Sequence, residues 1–255
     1  DMMWDNWPVR RQGVLYQRDY INQVIKKAQQ LNIDFYLEIK ELDVVDAIFE
    51  IRPDLRGADG TICPNHPFWL EFLEKKFTEL FSVYPGIAGI IVSPGTRESA
   101  VSIAANRCRC ERCQNTPALN WYVNILNAMY GPIHRAGRSL IVRDFSYTAE
   151  QQSLMIQACE EISDDIIIAL KAQPHDYYPT FPTNPEIGHT GNLREYIEFD
   201  TWGQYFGMGI APMSLVEDIK ERLEICYEKG AEGVWFRTDW ELIHDASAVS
   251  YTHLR

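Results

Sequence analysis

Short, wholly apolar stretches alternate along the chain with longer segments whose apolar residues recur at helical spacing. That alternation predicts βα units and a parallel sheet. Residues 19–31 place Tyr20, Ile21, Val24, Ile25 and Ala28 along a predicted helix that Asn32 closes, and a strand is expected over 33–42. A connection punctuated by Pro53, Gly57, Gly60 and Pro64 leads to a helix over 66–83, with Pro67 in its first turn as helix starts favour. Residues 87–93 read as a buried strand ending at Pro94-Gly95. Further helices are expected over 117–135, 150–162 and 215–229, and further strands over 140–145, 166–171, 193–199 and 233–237. Six strands at this spacing, with no internal domain boundary, predict an incomplete (β/α)8 TIM barrel. Its first two strands are expected upstream of Asp1, since a closed barrel needs eight. An open doubly wound sheet is the alternative. Against it, no Gly-rich phosphate loop follows a strand, and the long loops all fall after strands.

Composition narrows the partners. The 255 residues carry a formal net charge of −12, which argues against nucleic acid and against an anionic membrane surface. No stretch reaches the roughly 18 apolar residues of a membrane span. Seven Trp, thirteen Tyr and eleven Phe supply flat apolar faces of the kind sugar rings stack on, although cores use them too. The last residues, 249–255 (VSYTHLR), look like the in-frame translation of a transposon-end sequencing adapter. The expected layout is therefore a partial catalytic barrel over 1–248 and an artefactual tail over 249–255, as in a metagenomic fragment.

In barrels the reactive groups sit at the C-terminal ends of the strands. Those ends deliver Thr96-Arg97-Glu98, Arg143-Asp144 with Tyr147, and Lys171 with Gln173 to Tyr178. They also deliver Glu198, Asp200, Trp202 and Gln204, then Arg237, Asp239, Trp240 and Glu241. Carboxylates beside cations and aromatics are what sugar hydrolysis requires: one acid protonates the leaving oxygen and one carboxylate activates water or attacks carbon. A general acid must stay protonated near neutral pH, so Glu98 is expected in a less polar place than Asp176. Asp176, close in sequence to Lys171 and His175, is expected to remain ionised.

Four segments between 65 and 213 resemble the α-glucuronidases of glycoside hydrolase family 67, in the same order and at similar spacings. Gly89-Ile90-Ile91-Val92 with Thr96-Arg97-Glu98-Ser99 is similar to the segment bearing that family's general acid, which points to Glu98. Ile141 to Tyr147 resembles the next strand, and its substrate-contacting arginine falls on Arg143. Leu170 to Tyr177 resembles the segment whose lysine binds the sugar acid and whose aspartate serves base catalysis, implying Lys171 and Asp176. Glu198 to Gly207 is similar to the segment carrying the family's second carboxylate, but that position is Gln204, which cannot act as a base. Either Asp176 alone activates water, or Asp200 or Glu198 shares the task.

Together the strand ends and the resemblance give Glu98, Asp176 and Asp200 as catalytic candidates, Asp200 standing where the family has Gln, and place Arg143, Lys171, Glu198, Trp202 and Gln204 against an oligosaccharide substrate. The resemblance implies inversion, no cofactor for catalysis, and a terminal sugar such as the α-linked glucuronic acid of xylan. A barrel hydrolase for another glycan, or a catalytically inactive carbohydrate-binding barrel, stays open.

Cys108, Cys110 and Cys113 form C-x-C-x-x-C among Arg107, Arg109 and Arg112, with Cys63 upstream. Four thiolates could hold a structural Zn2+ that braces the loop, pair as disulfides in an exported enzyme, or remain free. Cys159 and Cys226 fall on apolar helix positions and are expected in the core.

Overall fold

The β-branched, apolar runs at the centre of the sheet become strands buried on both faces, as parallel sheets favour. The computed structural model describes residues 8–57, 59–96, 99, 101–178, 180–201, 203–206 and 214–238. Helix α1 (Pro8–Gln30) leads into β1 (Tyr36–Ile39). A short helix α2 (Ala47–Ile51) and a 3-10 turn (Pro53–Leu55) precede α3 (Phe68–Val83) and β2 (Gly89–Val92). Next come α4 (Glu111–Asn115), α5 (Ala118–Arg135), β3 (Ser139–Arg143), α6 (Ala149–Ile162) and β4 (Ile167–Lys171). The series closes with β5 (Arg194–Asp200), α7 (Val216–Glu228) and β6 (Gly233–Arg237). Thr148 starts α6 by accepting a hydrogen bond from the Gln151 amide at 3.2 Å. Among the described residues no helix is long and apolar enough to cross a membrane.

All six strands lie in one sheet in the order β1 to β6, and every neighbouring pair is parallel. The sheet curls into a half-barrel. Crossovers that always step to the adjacent strand are barrel winding rather than the reversal of a doubly wound sheet. Strand alternation then separates two environments. Leu37, Ile90, Val92, Leu140, Val142, Ile168, Leu170, Ile197 and Phe199 face outward into the main core. They meet Trp69, Leu73 and Phe77 of α3, Trp121, Ile125 and Met129 of α5, and Met155 and Cys159 of α6. Full burial of each large apolar side chain here contributes about 1.5–3 kcal/mol. Cys159 and Cys226 both belong to this core.

Inward, Ile141, Ile167 and Ala169 form a small apolar floor, with Tyr36, Ile91, Tyr196 and Trp235 packed against it. The next inward positions, Arg143, Lys171 and Glu198, are charged and buried. The floor ends where the chemistry-bearing layer begins.

Two differences from the sequence reading concern exposed segments. The first helix begins at Pro8 rather than 19, because Val14 and Arg18 continue the partly buried face of Ile21 and Ile25. Its remaining apolar residues there, Val9, Leu15 and Tyr16, are exposed and hide the period. The connections after β1 and β2 contain the short α2, the 3-10 turn and α4 where irregular chain was expected.

Candidate active site

Beyond the floor, the concave side of the half-barrel opens into a cavity of about 670 Å³. Its walls include Glu38, Lys40, Arg143, Asp176, Glu198, Gln204 and Arg237. Arg143 ends β3, and Glu198 stands on β5 with β4 between them. Arg143 donates from Nε and Nη2 to the two Glu198 oxygens at 2.6 and 2.8 Å. The remaining nitrogen, Nη1, lies 3.5 Å from Glu38, whose carboxylate is more than half exposed in the cavity. The arginine expected to contact substrate is thus engaged by a carboxylate of the protein. Burial pushes Glu198 up, but the Arg143 charge and its hydrogen bonds outweigh that and hold Glu198 below the usual carboxylate range.

Lys171, the last residue of β4, is 1% exposed and does not line the cavity. Its ammonium donates to the His175 carbonyl at 3.1 Å and to Asp176 Oδ1 at 3.4 Å, and sits 4.0 Å from the centre of the Phe145 ring. Burial drives Lys171 down to about 8 despite the opposing charge of Asp176. His175 has φ +67°, a left-handed conformation uncommon for a side-chain-bearing residue, and this turn carries the chain from the lysine to Asp176.

Asp176 is the carboxylate through which this cluster reaches the cavity. Its Oδ1 also accepts the Tyr177 amide at 3.0 Å, and its Oδ2 accepts the Tyr205 hydroxyl, whose ring stacks on Tyr178 at 3.8 Å. Burial raises Asp176, but the Lys171 charge, the Tyr205 hydroxyl and the Tyr177 amide together hold it below its ordinary value. Both members of the pair shift downward for one reason each: Lys171 has lost its water, and Asp176 has gained a cation and two donors.

Asp200, at the end of β5, faces a different task. Its Oδ2 accepts the amides of Gly203 and Gln204 at 3.0 and 3.1 Å, closing the turn that follows the strand. Gln204 lines the cavity and accepts from Arg237 Nη1 at 3.2 Å. Glu98, Trp202, Asp239, Trp240, Glu241 and the 249–255 tail lie outside the described residues. The structure therefore brings Arg143, Lys171, Asp176, Glu198, Asp200 and Gln204 to one end of the sheet, with Asp176, Arg143, Glu198 and Gln204 on the cavity wall.

Several residues of this site were not singled out from the sequence. Glu38 and Lys40 line the cavity because β1 and its continuation alternate, with Leu37 and Ile39 turned to the core; the period of two was the available signal. Tyr205 lay inside a recognised segment, but nothing in the sequence marks its hydroxyl as reaching Asp176.

The strand order, winding and polar mouth define a (β/α)-barrel-type fold. No protein-family profile and no curated protein matches the sequence. Among solved structures, the chain is similar to the chitobiase of Flavobacterium johnsoniae, with 15% identity and a TM-score of 0.53, covering 91% of this chain and 36% of that one. It is also similar to a family 18 chitinase from Crocus vernus, with 13% identity and a TM-score of 0.50, covering 93% of this chain and 74% of that one. At these identities the likeness supports the barrel-type fold alone, and the chain spans about a third of the chitobiase.

Proposed function

We propose that this chain is the greater part of a glycoside hydrolase barrel in which Asp176 is the general base. The observation that carries the reading is the Asp176 carboxylate on the wall of a cavity at the C-terminal ends of the strands, with Lys171 and Tyr205 on its two oxygens. A base that activates water must be unprotonated at working pH, and this environment favours that state. Glu98, assigned from the family 67 resemblance, is the partner acid that protonates the leaving oxygen. In an inverting reaction the water attacks the anomeric carbon as the bond to the leaving oxygen breaks. Asp176 receives the water proton, and Glu98 gives its own to the leaving group.

Arg143 and Lys171 act on the substrate indirectly in this reading. Arg143 fixes Glu198, and Lys171 sets the charge state of Asp176. The family 67 resemblance supports the proposed substrate, an oligosaccharide ending in a sugar acid such as α-linked glucuronic acid of xylan, and the cavity wall carries the cations Lys40, Arg143 and Arg237 as well as carboxylates. No cofactor enters the reaction. That two glycan-cleaving enzymes stand among the similar folds fits this class of activity.

The test is hydrolysis of glucuronosyl xylo-oligosaccharides by the full-length protein, with the anomer of the first product followed by NMR. Release of the inverted sugar, lost in Asp176→Asn and Glu98→Gln, supports the proposal. Undiminished turnover in Asp176→Asn overturns the assignment of the base. Tight oligosaccharide binding with no turnover of any acidic or neutral glycan would instead make the barrel a carbohydrate-binding one.

A further inference from the structure

Away from the cavity, four side chains that the proposed reaction does not use converge on one point. Cys63 precedes α3, and Cys108, Cys110 and Cys113 lie at the start of α4 and just before it. Their sulfur atoms all lie within 4.8 Å of one another. Cys63 Sγ is 3.7 Å from Cys110 Sγ and 3.5 Å from Cys113 Sγ. Zinc–sulfur bonds of about 2.3 Å directed to the corners of a tetrahedron place the sulfurs roughly 3.8 Å apart along each edge. Disulfide pairing would draw each sulfur to a single partner at about 2.05 Å. Cys63 is instead shared almost equally between two partners, the relation that a common central ion requires.

The surroundings have the features of a built site. Cys63 is buried, and its carbonyl accepts from the indole of Trp69 at 2.9 Å. The next carbonyl, that of Pro64, accepts from the indole of Trp121 at 3.1 Å. Two fully buried tryptophans thus hold one ligand against the core. Asn65 Nδ2 donates to Cys113 Sγ at 3.4 Å, an outer hydrogen bond of the kind that orients a metal ligand. Four thiolates around a divalent ion leave a net charge of −2. The loop carries Arg107, Arg109 and Arg112 between and beside the cysteines, which offsets it.

We propose that Cys63, Cys108, Cys110 and Cys113 form a structural Zn2+ site that fastens the long connection after β2 to the segment entering α3. Binding releases the four thiol protons and forms four Zn–S bonds, with no change of oxidation state. A closed four-sulfur set keeps no position for water or substrate, so the ion braces rather than catalyses. The connection it anchors, 93–107, includes Glu98 in its sequence. The metal site itself does not depend on the glycosidase assignment.

The experiment is metal analysis of the full-length protein purified under reducing conditions without chelator, followed by replacement with Co2+. About one zinc per chain, and the strong thiolate-to-cobalt charge-transfer and tetrahedral d–d bands after exchange, are expected. Cys110→Ser changes an exposed ligand and should weaken zinc binding by more than about tenfold. Cys226→Ala, in the core, should leave the stoichiometry unchanged. A reduced protein that takes up no zinc or cobalt on reconstitution overturns the proposal. So does a protein whose mass is lower by four hydrogens with these cysteines joined as disulfides. If Cys110→Ser does not fold, the zinc content and cobalt spectrum of the unaltered protein decide alone.

Discussion

Arg143 and Glu198 face each other across the intervening strand β4 and share two parallel hydrogen bonds of 2.6 and 2.8 Å. Both are almost wholly buried at the cavity wall, so little water can replace a lost partner. Removing one partner of such a pair strands the other, at a cost of about 3–5 kcal/mol. Glu198→Ala is expected to lose stability in that range in urea unfolding. A double replacement, Arg143→Met with Glu198→Leu, should lose clearly less than the sum of the single changes. The folded state holds Glu198 below its ordinary value of 4.5. Its contribution is therefore complete above 4.5 and is lost as pH falls through the lower folded value. Glu198→Ala should flatten that part of the acid unfolding curve.

The two partners of this pair mark the limit of what the chain reveals by itself. The strands were legible because parallel strands buried on both faces become unbroken apolar runs, as in Ile90-Ile91-Val92 and Ile166-Ile167-Ile168. Arg143 and Glu198 could each be found at a strand end for the same reason. That they bind each other depends on the register β3–β4–β5, which brings residues 55 positions apart together and leaves no local trace. Lys171 was legible as a cation near Asp176, but its withdrawal from the cavity depends on the packing of Phe145 and Tyr177 around it. For Asp200 a turn signal was present, with Gly203 at φ +76° three residues on, yet the carboxylate drew attention as a possible base. Helix α1 lost its first turns to the reading because an exposed helix need not keep an apolar period.

Lys171 and Tyr205 act on the proposed base from opposite oxygens of Asp176. Each favours the ionised form, so removing either raises the pH at which Asp176 gives up its proton. In Lys171→Met the acid limb of the kcat/KM profile should move to higher pH, and in Tyr205→Phe it should move the same way by less. Lys171 itself gives up its proton near 8. Above that pH Asp176 is ionised with or without the lysine charge, and the acid-limb contribution to the difference between Lys171→Met and wild type should vanish. An acid limb unmoved in both variants would separate Asp176 from the rate-controlling base.

Asp200 closes a turn through two amides, and this predicts a split between stability and rate. Asp200→Ala removes the acceptor of two hydrogen bonds to a charged group, worth about 1.5–3 kcal/mol each before relaxation of the turn. The melting temperature should drop, and Gln204 on the cavity wall should lose its position, raising KM. Asp200→Asn keeps an oxygen for the amides, so it should retain most of both stability and kcat. The opposite pattern, with Asp200→Asn as stable as wild type but slowed by about 100-fold or more, would place Asp200 in the chemistry as a base.

Behind the mouth, Glu41 is buried just beyond β1, and neither carboxylate oxygen has a hydrogen-bond partner among the described residues. The nearby Lys76 ammonium donates to the carbonyls of Lys40 and Glu41, not to the carboxylate. Burial raises Glu41 above its ordinary 4.5, against smaller opposing pulls from its own backbone amide, from the Lys76 and Lys40 charges and from the Ser93 backbone. With the folded value raised, stability is highest below 4.5 and declines as pH rises through the folded value, because the folded state must then hold a buried charge that its neighbours only partly compensate. Glu41→Met has similar length and no charge to desolvate. It should unfold at higher urea concentration than wild type at pH 8, by about 1–3 kcal/mol, and the difference should shrink toward pH 4. A variant less stable than wild type at pH 8 would mean that the compensation of Glu41 by its own and the Ser93 backbone and by Lys76 and Lys40 outweighs its burial.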